Sequence, residues 1–277
     1  MRMEDKQPLI SVIMGVYYRK ESVALLKRAV QSILDQSYPN FEFLICDDGS
    51  NQGTLETLDQ FAEQDDRIRL VRGIQRTDLA AKLNACLRLA KGTYIARMDD
   101  DDWSAPERFE KQLRALDGNK EVFFVGCNVL LCRNGRVYGE RALPELPKVE
   151  NFYMTQPFVH PTILFRKDAL LSVGGYSEGK RQYLCEDYDL LLRLYAAGYC
   201  GMNLQENLLT YTVSASAKAN RRMSHRWNEA VTRFCRFRDL KVLPRAFPYV
   251  VKPLVIGVMP EFLLSLIKER RGKRTKK

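Results

Sequence analysis

The sequence predicts an α/β fold with a mixed, mainly parallel sheet flanked by helices. Short apolar runs alternate with amphipathic stretches through the first half of the chain, and acidic turns follow two of these runs. Such alternation is typical of βα units, and open parallel sheets bind ligands beyond the carboxyl ends of their strands. The 277 residues contain neither a repeat nor a flexible linker, so one domain with a mixed sheet is the simplest organisation.

The first half contains four predicted strands, each followed by a predicted helix. The strands are residues 9–16, 41–46, 68–71 and 94–98. Apolar residues at helical spacing predict helices over 25–34, 55–62 and 79–90, and a fourth helix opened by Pro106. The first strand is a continuous apolar run, as expected for a strand covered on both faces. Ser22 and Asp78 are the expected N-caps of the first and third helices.

The second half is less regular. An apolar run over 121–132 and a strong hairpin turn at Asn134-Gly135 predict an antiparallel pair of strands. Further predicted elements are a strand over 162–165, a helix over 187–197 and a strand over 208–213.

Charge and cysteine content exclude some classes of function. The net charge is +10, and the last ten residues account for +6 of it, so the rest of the chain is only mildly basic. Nucleic-acid binding would require a basic face on the folded body, and a basic tip is weak evidence for one. The seven cysteines form no CxxC pair, as expected in a reducing cytosol. His160 and His225 are the only histidines, which argues against a thiol nucleophile that needs a histidine base.

Residues 244–277 form an apolar and basic tail. Prolines 248, 253 and 260 interrupt it, so no apolar span reaches the ~20 residues needed to cross a bilayer. Phe262, Leu263, Leu266 and Ile267 make a helical stripe followed directly by the basic cluster. This pattern predicts a helix in the membrane interface, attracted to anionic lipid. A terminal helix packed on the domain, with a solvated basic end, is the alternative.

Two acidic turns lie where a ligand site is expected. Asp47-Asp48-Gly49-Ser50 follows the second strand, and Asp99 to Asp102 follow the fourth. Four adjacent carboxylates repel one another, and a divalent cation with a preference for oxygen ligands would turn this repulsion into binding. The other interpretation is a solvated acidic loop. The first strand is followed by no GxGxxG or Walker motif, but Tyr17 offers a ring on which a base could stack.

A third acidic segment, Glu186-Asp187-Tyr188-Asp189, begins the helix predicted near residue 187. Helical spacing places Asp187 above an apolar stripe, whereas Glu186 and Asp189 point away from it by about 100° and 160°. Asp187 is therefore a candidate general base tuned by partial burial. It could equally stabilise the positive end of the helix dipole.

Taken together, these segments resemble family 2 glycosyltransferases of the GT-A fold, over about residues 8–216. The resemblance is carried, in order, by the opening strand with Val16-Tyr17, by residues 32–42, by Asp47-Asp48-Gly49-Ser50, by residues 95–102 and by residues 186–190. It implies a GT-A domain over 1–243, with a nucleotide-binding half (1–117) and an acceptor half (118–243), and C-terminal amphipathic helices. Gly15, Tyr18 and Asp78 depart from the family pattern.

The resemblance also implies roles for individual residues. Tyr17 next to Val16 would stack on uracil, and Asp48 would accept from the uracil N–H. Asp99 and Asp100 would contact the nucleotide sugar, and Asp101, with Asp99, would hold Mn²⁺ or Mg²⁺ on the diphosphate.

Further roles concern the acceptor and the closure of the site. Asp187 would be the catalytic base, with Glu186 on the acceptor side. His160 could line the acceptor side or be a structural histidine. Arg221 and Arg222 follow in a polar stretch that could close over the diphosphate or form a solvated loop. Ser214 and Ser216 stand where many relatives carry a histidine, which leaves open whether a second protein residue ligates the metal.

The implied activity is inverting transfer of glucose, galactose or an N-acetylhexosamine from a UDP-sugar. The expected acceptor is a polyprenyl-diphosphate-linked glycan of bacterial surface polysaccharide. The enzyme is expected to be cytoplasmic, in peripheral contact with the cytoplasmic face of the inner membrane. Two alternatives remain: a nucleotidyltransferase that makes sugar nucleotides, and a non-catalytic, membrane-associated metal-binding scaffold. The first needs a glycine-rich loop, and Gly15-Val16-Tyr17-Tyr18-Arg19 is not one.

Overall fold

The computed structural model describes residues 7–18, 23–73, 78–179, 181–213 and 223–259. The strands in these ranges are β1 (Ile10–Val16), β2 (Phe41–Asp47), β3 (Ile68–Val71), β4 (Tyr94–Arg97), β5 (Trp103–Ser104), β6 (Val122–Arg133), β7 (Arg136–Arg141), β8 (Leu164–Arg166) and β9 (Cys200–Thr212). The helices are α1 (Ala24–Leu34), α2 (Gln52–Gln64), α3 (Leu79–Leu89), α4 (Arg108–Gly118), α5 (Asn151–Met154), α6 (Lys167–Ser172), α7 (Glu186–Ala196), α8 (Met223–Asp239) and α9 (Leu243–Val258), with a 3₁₀ turn at His160–Thr162.

These strands form one mixed sheet in the order β3-β2-β1-β4-β8-β6-β9-β5, and β7 pairs with β6. β3, β2, β1 and β4 run parallel, β8 is antiparallel to both β4 and β6, and β9 is parallel to β6. The carboxyl ends of β1, β2 and β4 therefore meet at one edge of the sheet. The predicted α/β fold with a mixed sheet flanked by helices is confirmed.

The sheet separates two hydrophobic cores. Val12 of β1 points into one core with residues of α1 and α4, and Ile13 points into the other with residues of α3 and α7. Every apolar side chain of β1 is fully buried, as predicted for a strand covered on both faces. The two cores fix α3 and α7 on the same side of the sheet.

Local signals in the sequence agree with the structure at several points. The Asp78 side chain caps α3 by accepting from the Ala81 N–H at 2.9 Å. Asn134 and Gly135 have φ values of 50° and 74°, the left-handed pair that a tight hairpin between β6 and β7 requires. Ser22, the other predicted cap, lies outside the described residues.

Three boundaries differ from the sequence-based expectation. Pro106 lies in the turn before α4, which begins at Arg108. Thr162 belongs to a 3₁₀ turn, so β8 begins only at Leu164. β9 starts at Cys200, before the predicted residue 208, because its first residues pair with β6, a long-range contact that local pattern does not reveal.

The tail is packed on the domain as far as the structure describes it. α9 continues as a helix through Pro248 and Pro253, and Ala246 and Val250 are buried in the same core as Phe237 of α8. The predicted interfacial stripe and the basic cluster lie outside the described residues. Within the described ranges, no helix combines the length and the apolar character required to cross a bilayer.

Gly201 provides a test of the β6–β9 pairing. It stands opposite Phe124 of β6, and a Cβ added at Gly201 would overlap the fully buried Phe124 ring. We expect Gly201→Ala to lower the free energy of unfolding by about 1–3 kcal/mol, because overpacking forces the ring or the backbone to move. Urea denaturation measures this change.

Gly139→Ala is the matched control for this variant. Gly139 also lies in a strand, but its added Cβ would meet no atom within 4 Å. We expect a change within about 0.5 kcal/mol. Equal unfolding midpoints for the two variants would contradict the described packing of β6 against β9.

Candidate active site

The turn after β2 is tied to the end of β1 by its own side chains. The Asp47 carboxylate accepts from the N–H groups of Gly49 at 2.9 Å and Ser50 at 3.3 Å. Ser50 Oγ in turn accepts from the Tyr18 N–H at 2.8 Å. Gly49 has a φ of +104°, which a residue with a side chain rarely adopts. Asp47 therefore shapes the turn, and Asp48 is left to face the neighbouring helix.

Lys82 of α3 joins the residues predicted to bind the nucleotide. Its Nζ lies 3.3 Å from the Asp48 carboxylate and 5.5 Å from the centre of the Tyr17 ring, and it donates to the Val16 carbonyl at 3.3 Å. Asp48 is only 2% exposed, so Lys82 compensates a carboxylate that is nearly removed from water. Sequence reasoning missed Lys82; the available signal was a lysine on the apolar side of a predicted helix.

The aspartate turn after β4 brings three carboxylates together. Oxygen atoms of Asp99, Asp101 and Asp102 all lie within 4.8 Å of one another. Asp102 is fully buried, and its Oδ1 accepts from the Thr212 N–H at 2.7 Å. The Asp101 carbonyl accepts from the Thr212 hydroxyl at 2.6 Å and from Arg28 at 3.0 Å. The end of β9 and helix α1 thus hold this turn in place.

Asp102 is a candidate metal ligand that sequence reasoning did not name. Its Oδ2 has no hydrogen-bond partner among the described residues. The sequence assigned the metal to Asp99 and Asp101, and both belong to the cluster, whereas Asp100 does not. Carboxylate oxygens are the ligands preferred by Mg²⁺ and Mn²⁺, so the residues present fit a hard divalent cation.

Burial and mutual repulsion disfavour the charged forms of these acids. Burial, followed by the charges of Asp99 and Asp101, raises the pKa of Asp100 to about 7. Burial and then Asp99 raise the pKa of Asp101 to about 6 and that of Asp102 well above its usual range. Arg97, itself only 2% exposed, forms an ion pair with Asp99. A divalent cation would relieve the remaining repulsion.

The first turn of α7 presents two aspartates with different surroundings. Asp187 is half-buried, and its Oδ2 accepts from Gln156 Nε2 at 3.1 Å. Asp189 is fully buried and forms ion pairs with Arg193 at 2.8 Å and with Arg236 of α8 at 3.0 Å. Asp189 thus has a structural role that ties α7 to α8, which leaves Asp187 as the candidate base.

One cavity of about 750 Å³ contains both acidic elements. Asp99 of the aspartate turn lines it, as do Glu186 and Asp187 of α7 and His160 of the 3₁₀ turn. Its volume lies within the usual range of ligand pockets. A molecule in this cavity could therefore contact both Asp99 of the candidate metal site and the candidate base Asp187.

The two residues predicted for the acceptor side are in strongly perturbed environments. His160 is 7% exposed and shares a 2.9 Å hydrogen bond with the Tyr176 hydroxyl. Burial and the charge of Arg97 hold the pKa of His160 well below its usual value, so the ring is neutral. Burial and Asp187 raise the pKa of Glu186 to about 7. Arg221, Arg222, Ser214 and Ser216 lie outside the described residues, so the expectations for them stay predictions.

Comparison with known proteins identifies the family. The profile of "Glycosyl transferase family 2" matches residues 11–171. The chain belongs to this family. It is 37% identical to the putative glycosyltransferase EpsE of Bacillus subtilis, over 95% of this chain and 94% of that protein. It is 33% identical to the O-antigen biosynthesis glycosyltransferase WbnJ of Escherichia coli, over 74% of this chain and 80% of that one.

Solved glycosyltransferase structures share the fold. Staphylococcus aureus TarS in complex with UDP-GlcNAc has a TM-score of 0.67 at 17% identity, covering 91% of this chain and 76% of that chain. The Pyrobaculum calidifontis mannosyltransferase PcManGT, in complex with GDP-Man and Mn²⁺, has a TM-score of 0.64 at 16% identity, covering 97% and 81%. The expected GT-A fold of a family 2 glycosyltransferase is confirmed, and the nucleotidyltransferase alternative is set aside.

The raised pKa of Asp101 predicts a dependence of stability on pH. The folded carboxyl has a pKa of about 6, above the ordinary 3.8, so the folded state binds this proton more tightly. Stability therefore falls as the pH rises between these two values. Asp101→Asn removes this titrating group. In EDTA, the melting temperature of the variant minus that of wild type should therefore increase from about pH 5 to about pH 7, because only wild type loses this contribution to stability.

The exposed Asp66→Asn variant is the control for this series, and its difference from wild type should stay constant across the same range. Melting curves of Asp101→Asn and wild type that run parallel over this pH range would contradict the described crowding of carboxylates.

Proposed function

We propose that this protein is an inverting, metal-dependent hexosyltransferase. It moves glucose, galactose or an N-acetylhexosamine from a UDP-sugar to a glycan acceptor, a polyprenyl-diphosphate-linked saccharide in surface polysaccharide synthesis. The observation that carries the proposal is the shared cavity of Asp99 and Asp187. Inverting transfer requires a leaving-group site and a base on opposite sides of one anomeric carbon, and a cavity lined by both Asp99 and Asp187 supports such an arrangement.

Asp99, Asp101 and Asp102 are the residues that would hold the metal. When bound, Mn²⁺ or Mg²⁺ supplies Lewis-acid stabilisation of the leaving diphosphate. The chain itself positions these carboxylates through Arg97, which pairs with Asp99, and through Thr212, which donates to Asp102. The turn is thus organised before the donor arrives.

Asp187 removes the proton from the acceptor hydroxyl. The oxygen of that hydroxyl attacks the anomeric carbon as the bond to the UDP oxygen breaks, so one displacement inverts the anomeric configuration. Gln156 holds Asp187 Oδ2 by a 3.1 Å hydrogen bond, and the Tyr188 N–H donates to Oδ1 at 2.7 Å. These two bonds fix the orientation of the carboxylate toward the cavity.

Residues at the ends of β1 and β2 are proposed to bind the nucleoside. Tyr17, 37% exposed, provides a ring on which uracil stacks, and Asp48, which pairs with Lys82 at 3.3 Å, accepts from the base N–H. TarS was solved with UDP-GlcNAc and PcManGT with GDP-Man, so relatives of this fold use either nucleotide. We favour UDP because of the resemblance at Asp47-Asp48-Gly49-Ser50.

The acceptor class follows from the relatives. WbnJ is named for O-antigen biosynthesis, and the relative AmsE of Erwinia amylovora for amylovoran biosynthesis. Both names refer to bacterial polysaccharides. A lipid-linked acceptor would also explain a basic carboxyl-terminal tail, because such acceptors are held at a membrane surface.

The decisive experiment compares Asp101→Asn and Asp187→Asn. With Mn²⁺ and a UDP-sugar, wild-type protein should release UDP and transfer sugar with inverted configuration, which NMR of the product detects. Asp101→Asn should lose metal-dependent UDP release by roughly a hundredfold or more, because a ligand of the leaving-group site is gone. Asp187→Asn should bind UDP and Mn²⁺ normally but lose transfer.

Asp66→Asn, an exposed aspartate, is the control and should retain full activity. Replacement of UDP-sugars by GDP-mannose tests the choice of nucleotide. Normal transfer by Asp187→Asn would exclude Asp187 as the base, and metal-independent transfer would exclude the role of the aspartate cluster.

We further propose a peripheral contact with the cytoplasmic face of the membrane through residues 260–277. The full chain should float with vesicles that contain anionic lipid, and a chain ending at residue 259 should not, because seven of the last ten residues are basic. High salt should release the full chain. Binding that is equal for both chains would place the contact elsewhere on the protein.

A further inference from the structure

Arg141 is a cation in the cavity wall that the proposed mechanism does not use. It is the last residue of β7, is half-buried, and lines the same cavity as Asp187. One of its N–H groups donates to the Gln156 carbonyl at 2.8 Å. Among the described residues, no carboxylate lies within ion-pair distance of Arg141. Its planar guanidinium retains further donors for a ligand.

The other arginines of this cavity are compensated by protein groups. Arg97 pairs with Asp99, and Arg233 lies 3.0 Å from Glu229 and donates to the Tyr153 carbonyl at 2.8 Å. Arg141 differs because the group that it contacts is an uncharged carbonyl. Burial lowers the pKa of Arg141, because no neighbouring carboxylate among the described residues stabilises its charged form.

Gln156 connects Arg141 to the candidate base. Its carbonyl accepts from Arg141, and its Nε2 donates to Asp187 Oδ2 at 3.1 Å. One residue therefore links Arg141 to Asp187, and both side chains line the same cavity. A group bound to Arg141 would share this cavity with the acceptor hydroxyl that Asp187 would deprotonate.

We propose that Arg141 binds an anionic group of the acceptor, beside the hydroxyl that attacks the donor. The group is a phosphate of a lipid diphosphate or the carboxylate of an acidic sugar, because a guanidinium recognises both in the same bidentate geometry. The inference rests on the proposed function and narrows its acceptor class. Glu186 and Asp187 would repel an anion at this wall, and Arg141 offsets that repulsion.

The experiment measures binding of anionic probes with the donor site already filled. The full chain is saturated with UDP and Mn²⁺, so that a diphosphate probe cannot occupy the aspartate turn. Decyl diphosphate, methyl β-glucuronide and the neutral decyl β-glucoside are then titrated by calorimetry. Arg141→Gln should weaken binding of one anionic probe roughly tenfold to a hundredfold, the range for loss of a charge-assisted hydrogen bond. Binding of the neutral probe should not change.

Two further variants control for charge and folding. Arg136→Gln removes an exposed arginine from the same strand and should bind every probe like wild type. Arg141→Lys keeps the charge without the bidentate geometry and should retain intermediate affinity. The circular dichroism spectrum and the thermal melting curve of both Arg141 variants should match those of wild type, which reports that they are folded.

Each outcome decides the inference. If Arg141→Gln loses affinity only for decyl diphosphate, the acceptor group is a phosphate of a lipid diphosphate. If it loses affinity only for the glucuronide, the acceptor group is the carboxylate of an acidic sugar. Wild-type protein that binds neither anion, or Arg141→Gln that binds both like wild type, overturns the inference. If UDP and Mn²⁺ do not bind to wild-type protein, the proposed function has failed instead, so the two failures are distinguishable.

Discussion

The constraint on which the site depends is the crowding of carboxylates at one edge of the sheet. Asp99, Asp101 and Asp102 lie within one small region, and Asp102 is fully buried. A fold tolerates such a cluster only if cations and hydrogen-bond donors surround it. Arg97 and Thr212 supply part of that compensation from β4 and β9. The cluster is therefore costly without a divalent cation and well arranged to receive one.

The mixed sheet explains how the two halves of the chain build one cavity. β1, β2 and β4 end at the same edge and carry the segments assigned to the nucleotide and the metal. β8 and β6 extend the sheet beyond β4, which places α7 and the 3₁₀ turn beside the aspartate turn. The second half thus adds the candidate base, Asp187, and the 3₁₀ turn to a first half that is regular on its own.

Much of the parallel half could be predicted because each strand and helix there has a local signal, such as the apolar run of β1 or the Asp78 cap. The candidate site was predicted where acidic residues are adjacent in sequence, as at Asp99 to Asp102. Lys82 and Arg141 were not predicted, because their importance arises from contacts between distant segments. Helical spacing also placed Asp189 away from the apolar stripe, yet Asp189 is fully buried, where it pairs with Arg193 and with Arg236 of the distant α8.

The ion pair between Asp189 and Arg236 has a consequence for how far the chain can be shortened. α8 follows the portion that matches the family profile, yet it supplies one of the two cations that neutralise a fully buried acid in α7. Among the described residues, a fragment that stops before α8 would leave that acid with Arg193 as its one cation, beside the Ser177 hydroxyl, and would loosen the helix that carries Asp187. The minimal catalytic unit is therefore longer than the region by which the family is recognised.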